Sequence, residues 1–244
     1  NSSVEESLTS AYLARAGYAA PQMSAALHRL RTEANNHNRS LYGNNEAVYQ
    51  LLRYGVPVKA EAGKATETVH LVNWAEPERN DFALAEEVTL KGARERRPDV
   101  VLYVNGIAMA VLELKNSRVS IGDGIRQNLS NQRPEFNAWF FSTVQFVFAG
   151  NDSEGLQYGT IGTEEKYFLK WKEDEDDNQR FKLDKYLLKL CDKTRLLELI
   201  HDFVLFDGGV KKLPRAHQYF GLKAAQAHVK QKKGGIVWHT QGAG

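Results

Sequence analysis

The chain of 244 residues is 42% hydrophobic and 25% charged, with a formal net charge of +2, enough to bury one core and the start of a second. The near balance of charge excludes a uniform basic coat, so a nucleic-acid surface would have to be a local patch. One cysteine, Cys191, excludes an internal disulfide framework and a zinc knuckle and fits a reducing cytoplasm. No apolar run approaches the ~18 residues of a membrane span, and the opening Asn-Ser-Ser-Val-Glu-Glu-Ser has neither region of a signal peptide. An Asn at the start and Gln241-Gly242-Ala243-Gly244 at the end lead us to expect a fragment.

Residues 4–14 carry apolar side chains at helical spacing, and Ser3-x-x-Glu6 reads as the capping box of that helix. Helices are expected next at 23–33 and 45–53, the second closed by Gly55 and Pro57. From Val58 the texture turns to strands, at 66–74 and 82–91 and then in two apolar runs, 100–104 and 107–114, that flank Asn105-Gly106. Those two runs read as buried on both faces. A helix at 121–130 crossing to a strand at 144–149 makes the domain α/β, with a mixed sheet flanked by helices. The charged run 172–177 is expected to be a solvated loop. Helices at 183–190 and 194–203 follow, and the Gly- and Lys-rich stretch 207–214 reads as a linker. A helix at 216–232 and a short strand at 236–239 then lead into a glycine-rich end. The expected division is a first domain over 1–206, the linker, and the beginning of a second domain over 215–244.

The segment from Arg96-Arg97-Pro98-Asp99 to Glu113-Leu114-Lys115 carries a metal site in outline. Cutting a phosphodiester requires a nucleophilic water, charge compensation and help for the leaving oxygen, which Mg²⁺ on two carboxylates can supply. Asp99 and Glu113 are the candidate carboxylates. Side chains alternate along a strand, so Glu113 and Lys115 share a face, while Leu114 is expected to point into the core and leave its carbonyl as a third ligand. Lys115 would hold or deprotonate the water. A bare two-residue Asn105-Gly106 loop would pair Asp99 with Leu112 and put the carboxylates on opposite faces. A site shared by both acids therefore requires an irregularity, expected between Val104 and Ala108. Pro-Asp also opens ordinary strands and Glu-x-Lys also decorates sheet edges, but here the pair ends a run too apolar for an edge strand.

The string RRPDVVLYVNGIAMAVLELKNS resembles the nuclease motif of the motor, or restriction (R), subunits of type I restriction endonucleases. Leu71-Val72-Asn73-Trp74 with Asn80-Asp81-Phe82, and Gly17-Tyr18, resemble segments that precede the motif in that family. Gly234 to Gly244 resembles the start of its ATP-binding Walker A loop. The resemblance spans essentially the whole chain. It implies a PD-(D/E)xK nuclease fold followed by the beginning of a RecA-like helicase motor, in a bacterial or archaeal cytoplasmic enzyme. It implies catalytic Asp99, Glu113 and Lys115 and Mg²⁺ held by Asp99, Glu113 and Leu114. Double-stranded DNA would be cut with ATP-driven translocation, alongside methyltransferase and specificity subunits. A Gln-x-x-x-Tyr motif of the family, which contacts DNA near the scissile phosphate, matches Gln127 with Asn131 in the place of Tyr. A supporting acid on the first helix would be Glu5 or Glu6.

The same resemblance places adenine recognition at Gln218, beside Arg215, and phosphate binding at Gln241, Gly242 and Gly244. A Gln amide can both donate to and accept from an adenine edge, and glycine amides can cradle phosphates at a helix start. The Lys and Ser/Thr that complete such a loop lie past Gly244, so ATP hydrolysis is not expected of this chain alone. Arg97 with Arg96, and Lys211 with Lys212, are candidate phosphate contacts or solvated pairs. The seven histidines show no metal spacing and read as structural or surface groups, and Cys191 as a small buried side chain. An inactive docking module and a stand-alone helicase are the alternatives, both disfavoured by the intact Asp99, Glu113 and Lys115.

Overall fold

The computed structural model describes residues 2–59, 63, 65–91, 95–173 and 181–238. The chain begins with helices α1 (Glu6–Arg15), α2 (Ala20–Ala34) and α3 (Leu41–Tyr54). Ser40 starts α3 by accepting the Gly43 amide at 3.2 Å, and Gly55, at φ +85°, ends it. A short antiparallel pair follows, β1 (Val56–Val58) with β2 (Glu67–Val69). The strand expected over 66–74 stops there. Residues beyond it turn because Asn73 and Asn80 hold each other, through Asn73 N–H to Asn80 Oδ1 and Asn80 Nδ2–H to Asn73 O, both at 2.8 Å.

The main sheet has six strands, β3 (Phe82–Glu86), β4 (Val100–Val104), β5 (Ile107–Leu114), β6 (Phe146–Asn151), β7 (Gly155–Gly159) and β8 (Leu169–Lys170), side by side in that order. β5 and β6 run parallel, joined by helix α4 (Ile121–Asn131), and the other neighbours are antiparallel. A parallel pair requires such a crossover. β3 ends earlier than the expected 82–91 because Glu87 turns to φ +50°.

Alternation along the strands feeds a core on each face of the sheet. Val104, Ala110, Leu112, Phe146 and Phe148 pack into one with α1, α2 and α3; Val101, Tyr103, Val111, Val147 and Ala149 pack into the other with Ile121 and Ile125 of α4. Both β4 and β5 are therefore covered on two sides, which is why they read as nearly continuous apolar runs.

Helices α5 (Lys182–Leu190) and α6 (Lys193–Phe203) extend the first core. The stretch 207–214, expected as a linker, instead belongs to a hairpin of β9 (Leu205–Asp207) and β10 (Val210–Lys212) turned by Gly208-Gly209. Its Lys211 is no surface cation. The ammonium is buried, donating to Asn45 Oδ1 at 2.8 Å and Gln145 Oε1 at 2.7 Å, while Lys212 pairs with Asp207. Helix α7 (Ala216–Lys230) packs back on the sheet domain: Tyr158 Oη donates to Pro214 O at 2.6 Å, and Tyr219 meets Phe203 with ring centroids 5.0 Å apart.

Other expectations are corrected here. The Ser3-x-x-Glu6 capping box does not form: the N-cap is Glu5, with no side-chain capping bond. Ser3 O accepts from Ala108 N–H and Glu6 pairs with Arg31, because residues 3–5 are taken up by a bridge to β5. In the charged run 172–177, Glu173 is not solvated, since Arg195, Lys189 and the Trp171 indole N–H all hold its carboxylate; residues 174–177 lie outside the described residues. Residues 236–238, expected in a strand, form none, and Ile236 and Trp238 are exposed. No helix among the described residues is long and apolar enough to cross a membrane.

Candidate functional site

The β4–β5 hairpin closes through two residues, Asn105 and Gly106, with φ of +51° and +78°. Both left-handed conformations are what a type I′ turn demands. The Asn105 side chain is fully used: Nδ2 donates to Leu71 O and Asn80 Oδ1, and Oδ1 accepts the Asp81 amide.

Val104 faces Ile107 and Tyr103 faces Ala108, but Leu102 faces Ala110, so Met109 is an extra residue on β5. The irregularity is thus a bulge inside the strand rather than in the stretch from Val104 to Ala108 where it was expected. Its effect on register is the expected one. Val100 faces Leu112, and continuing that register sets Asp99 opposite Glu113, on the face that packs against α4.

Glu113 is fully buried. Its Oε1 accepts from Asn131 Nδ2 at 3.3 Å, Lys115 Nζ lies 3.9 Å from Oε2, and Oε2 has no hydrogen-bond partner. Burial, and secondarily the charge of Asp99, pushes the Glu113 carboxyl up to about 8, against the pull of Lys115 and Asn131. Asp99 Oδ2 accepts the Leu114 amide at 2.6 Å, which ties the start of β4 to the end of β5. Lys115 Nζ donates to Gln127 Oε1 at 2.7 Å. Two carboxylates facing each other across a ladder repel unless something positive joins them, and an orphaned buried oxygen asks for a partner.

These observations fit a hard divalent cation such as Mg²⁺, which takes oxygen ligands. Among the described residues no three His, Cys, Asp or Glu side chains come together as metal ligands, so further ligands would be the Leu114 carbonyl and water. The Leu114 side chain does not point into the core as expected; it is exposed at the last residue of β5.

Helix α4 holds the site from above. Gly124 allows the approach: a Cβ there would lie 3.3 Å from Ala149 Cβ and 3.4 Å from Lys115 Cγ. The glycine at 124, inside a helix where it costs about 1 kcal/mol, was the sequence signal for this contact, and sequence reasoning passed over it. It also missed that Asn131 is buried against Glu113.

Other candidates lie elsewhere. Arg97 is exposed and pairs with Glu87 at 3.3 Å, while Arg96 stacks on Phe136 at 4.2 Å. Glu5 and Glu6 stand at the turn end of the hairpin, where Glu5 N–H donates to Gly106 O. Along β5 that is roughly 20 Å from Glu113, so neither supports the carboxylates. Gln218 Oε1 accepts the Arg215 amide at 2.9 Å at the start of α7. Gln241, Gly242 and Gly244 lie outside the described residues.

Residues 1–166 match the profile of a family described as the N terminus of the type I restriction enzyme R protein. The type I restriction enzyme HindI endonuclease subunit of Haemophilus influenzae is 27% identical over 224 residues, 82% of this chain and 21% of that protein. A Methanocaldococcus jannaschii protein, MjaIXP, provisionally named as an endonuclease subunit of such an enzyme, is 25% identical over 259 residues, covering 90% of this chain and 24% of its own length. A Staphylococcus aureus endonuclease subunit, SauCOLORF180P, is 22% identical over 178 residues, 68% of this chain and 18% of that protein. The chain thus spans about a fifth of the length of the relatives it matches. With more than half of its residues matched by the profile, the chain belongs to the family of type I restriction enzyme R protein N-terminal regions.

Proposed function

We propose that this chain is the endonuclease region of a type I restriction subunit, with a PD-(D/E)xK nuclease fold that cuts double-stranded DNA with Mg²⁺. The observation that carries this reading is the Met109 bulge, which turns Asp99 to the face of Glu113 and Lys115. The names of the relatives support it. Asp99, Glu113 and the Leu114 carbonyl would hold the ion, which when bound supplies charge compensation and a nucleophilic water. Lys115, whose Nζ donates to Gln127 Oε1, would orient the attacking water as the ammonium or, as the neutral amine, take its proton at Nζ.

In the longer protein, cutting would be coupled to ATP-driven translocation by a RecA-like motor that begins after residue 214. The chain would work with methyltransferase and specificity subunits in the cytoplasm. Arg215 and Gln218 would contribute to the nucleotide site, together with Gln241, Gly242 and Gly244. The test is Mg²⁺-dependent cleavage by the native subunit with its partner subunits and ATP, comparing wild type with Asp99→Ala and Lys115→Ala. Both variants are expected to lose cutting and keep ATP hydrolysis; continued cutting by both would place the nuclease elsewhere.

A further inference from the structure

The Gln127 and Asn131 positions, which the family resemblance assigns to DNA, face inward in this structure. Gln127 meets the Lys115 ammonium at 2.7 Å and Asn131 meets the Glu113 carboxylate at 3.3 Å. Asn131 is 1% exposed, and its amide nitrogen is directed at Glu113 rather than outward. The pairing is also commensurate. Residues four apart on a helix are separated by about 6 Å along its axis, and residues two apart on a strand by about 6.6 Å. Helix α4 runs back along β5, so amides at 127 and 131 fall opposite side chains at 115 and 113.

We propose that Asn131 is a positioning residue: its amide fixes Glu113 Oε1 so that Oε2 is left for the metal shared with Asp99. Gln127 does the same for Lys115, so that α4 acts as a template for the Glu-x-Lys strand. Asn128, buried one residue round the helix, donates to Phe148 O at 2.9 Å and pins the template to β6. The inference rests on reading Asp99, Glu113 and Lys115 as a metal-dependent nuclease site. It differs from the family resemblance in what the helix touches.

The experiment uses the native subunit and Asn131→Leu, of similar volume but without the amide, with Asn131→Ala as a second, smaller replacement and Asp99→Ala as the control. Mn²⁺ affinity is measured by calorimetry, duplex affinity and its salt dependence without divalent metal, and cleavage in the assembled enzyme. Removal of a partner that orients a metal ligand costs about 10- to 100-fold in metal affinity. Both Asn131 variants are expected to weaken Mn²⁺ binding by at least about tenfold and to slow cleavage, with duplex affinity and its salt slope unchanged. A folded Asn131 variant with wild-type Mn²⁺ affinity overturns the proposal, as does one that loses duplex affinity alone, which returns the residue to DNA contact. If Asp99→Ala keeps both Mn²⁺ binding and cleavage, the nuclease reading itself fails, and the positioning role with it.

Discussion

Replacing Glu113 by Gln tests the electrostatics of the site without any substrate. The buried carboxyl is raised from an ordinary 4.5 to about 8, so between those values the metal-free folded chain keeps a proton that the unfolded chain has released. The stability this contributes is fully present below pH 4.5 and is lost as the pH rises through about 8. One pKa unit corresponds to about 1.4 kcal/mol, so wild type should lose roughly 3 kcal/mol from this group between pH 5 and pH 8. Gln has nearly the same shape and cannot ionise, so the difference between the two proteins isolates the contribution of Glu113. The assay is urea unfolding in EDTA at pH 5, 6.5 and 8. The wild type should fall steadily against the variant, and Mg²⁺ at pH 8 should restore the wild type alone, since a ligand stabilises only the state that binds it. Parallel stability curves would refute the reasoning, because they would mean that the Glu113 carboxylate is hydrated in the folded chain.

Gly124→Val pushes α4 off the sheet at its contact with Ala149 and Lys115; cleavage should drop well before stability does, read as a lower rate at unchanged melting temperature to within a few degrees. Gly106→Ala has both a left-handed backbone and a Cβ only 2.8 Å from Glu5 O, and should cost at least ~2 kcal/mol in chemical unfolding. Asn105→Gly, which keeps the turn but removes three hydrogen bonds, should also be destabilised by ~2 kcal/mol. Lys211→Ala leaves Asn45 Oδ1 and Gln145 Oε1 without their donor and should cost roughly 2–4 kcal/mol, with the β9–β10 hairpin opening first in hydrogen exchange.

The elements most legible in the sequence were those whose apolar pattern is decided locally. Strands 100–104 and 107–114 and the helix that follows them lie where periodicity and Asn-Gly put them. What escaped were features fixed by partners distant in the chain. Leu71 and Val72 look like strand residues because they are buried, but the Asn73, Asn80 and Asn105 amides hold them in a turn. Lys211 looks like a solvated cation, and only acceptors from α3 and from the stretch before β6 make its burial possible. Asp99, Glu113 and Lys115 were nameable from spacing and chemistry. The bulge was deducible as a requirement but not as a position, since the turn and the strand could equally have absorbed the extra residue. The inward role of Asn131 was invisible because its meaning depends on the pitch of α4 against β5.

That equivalence has a consequence for how such sites vary. Between the two acids stand residues 100–112, an odd count, so a tight two-residue turn sets them face to face only because one residue of the hairpin is left unpaired. A chain with a three-residue turn and an unbroken ladder would satisfy the same condition as this one with its tight turn and Met109 bulge. The supernumerary residue can therefore migrate along the hairpin without touching the chemistry, and loss of Met109 itself would leave an unbroken ladder in which the acids still face each other, whereas moving one acid by a single position along its strand turns it to the other face of the sheet. What the reaction constrains is the pairing of the acids across the ladder, which turn and bulge set together, rather than the type of turn or the spacing taken alone.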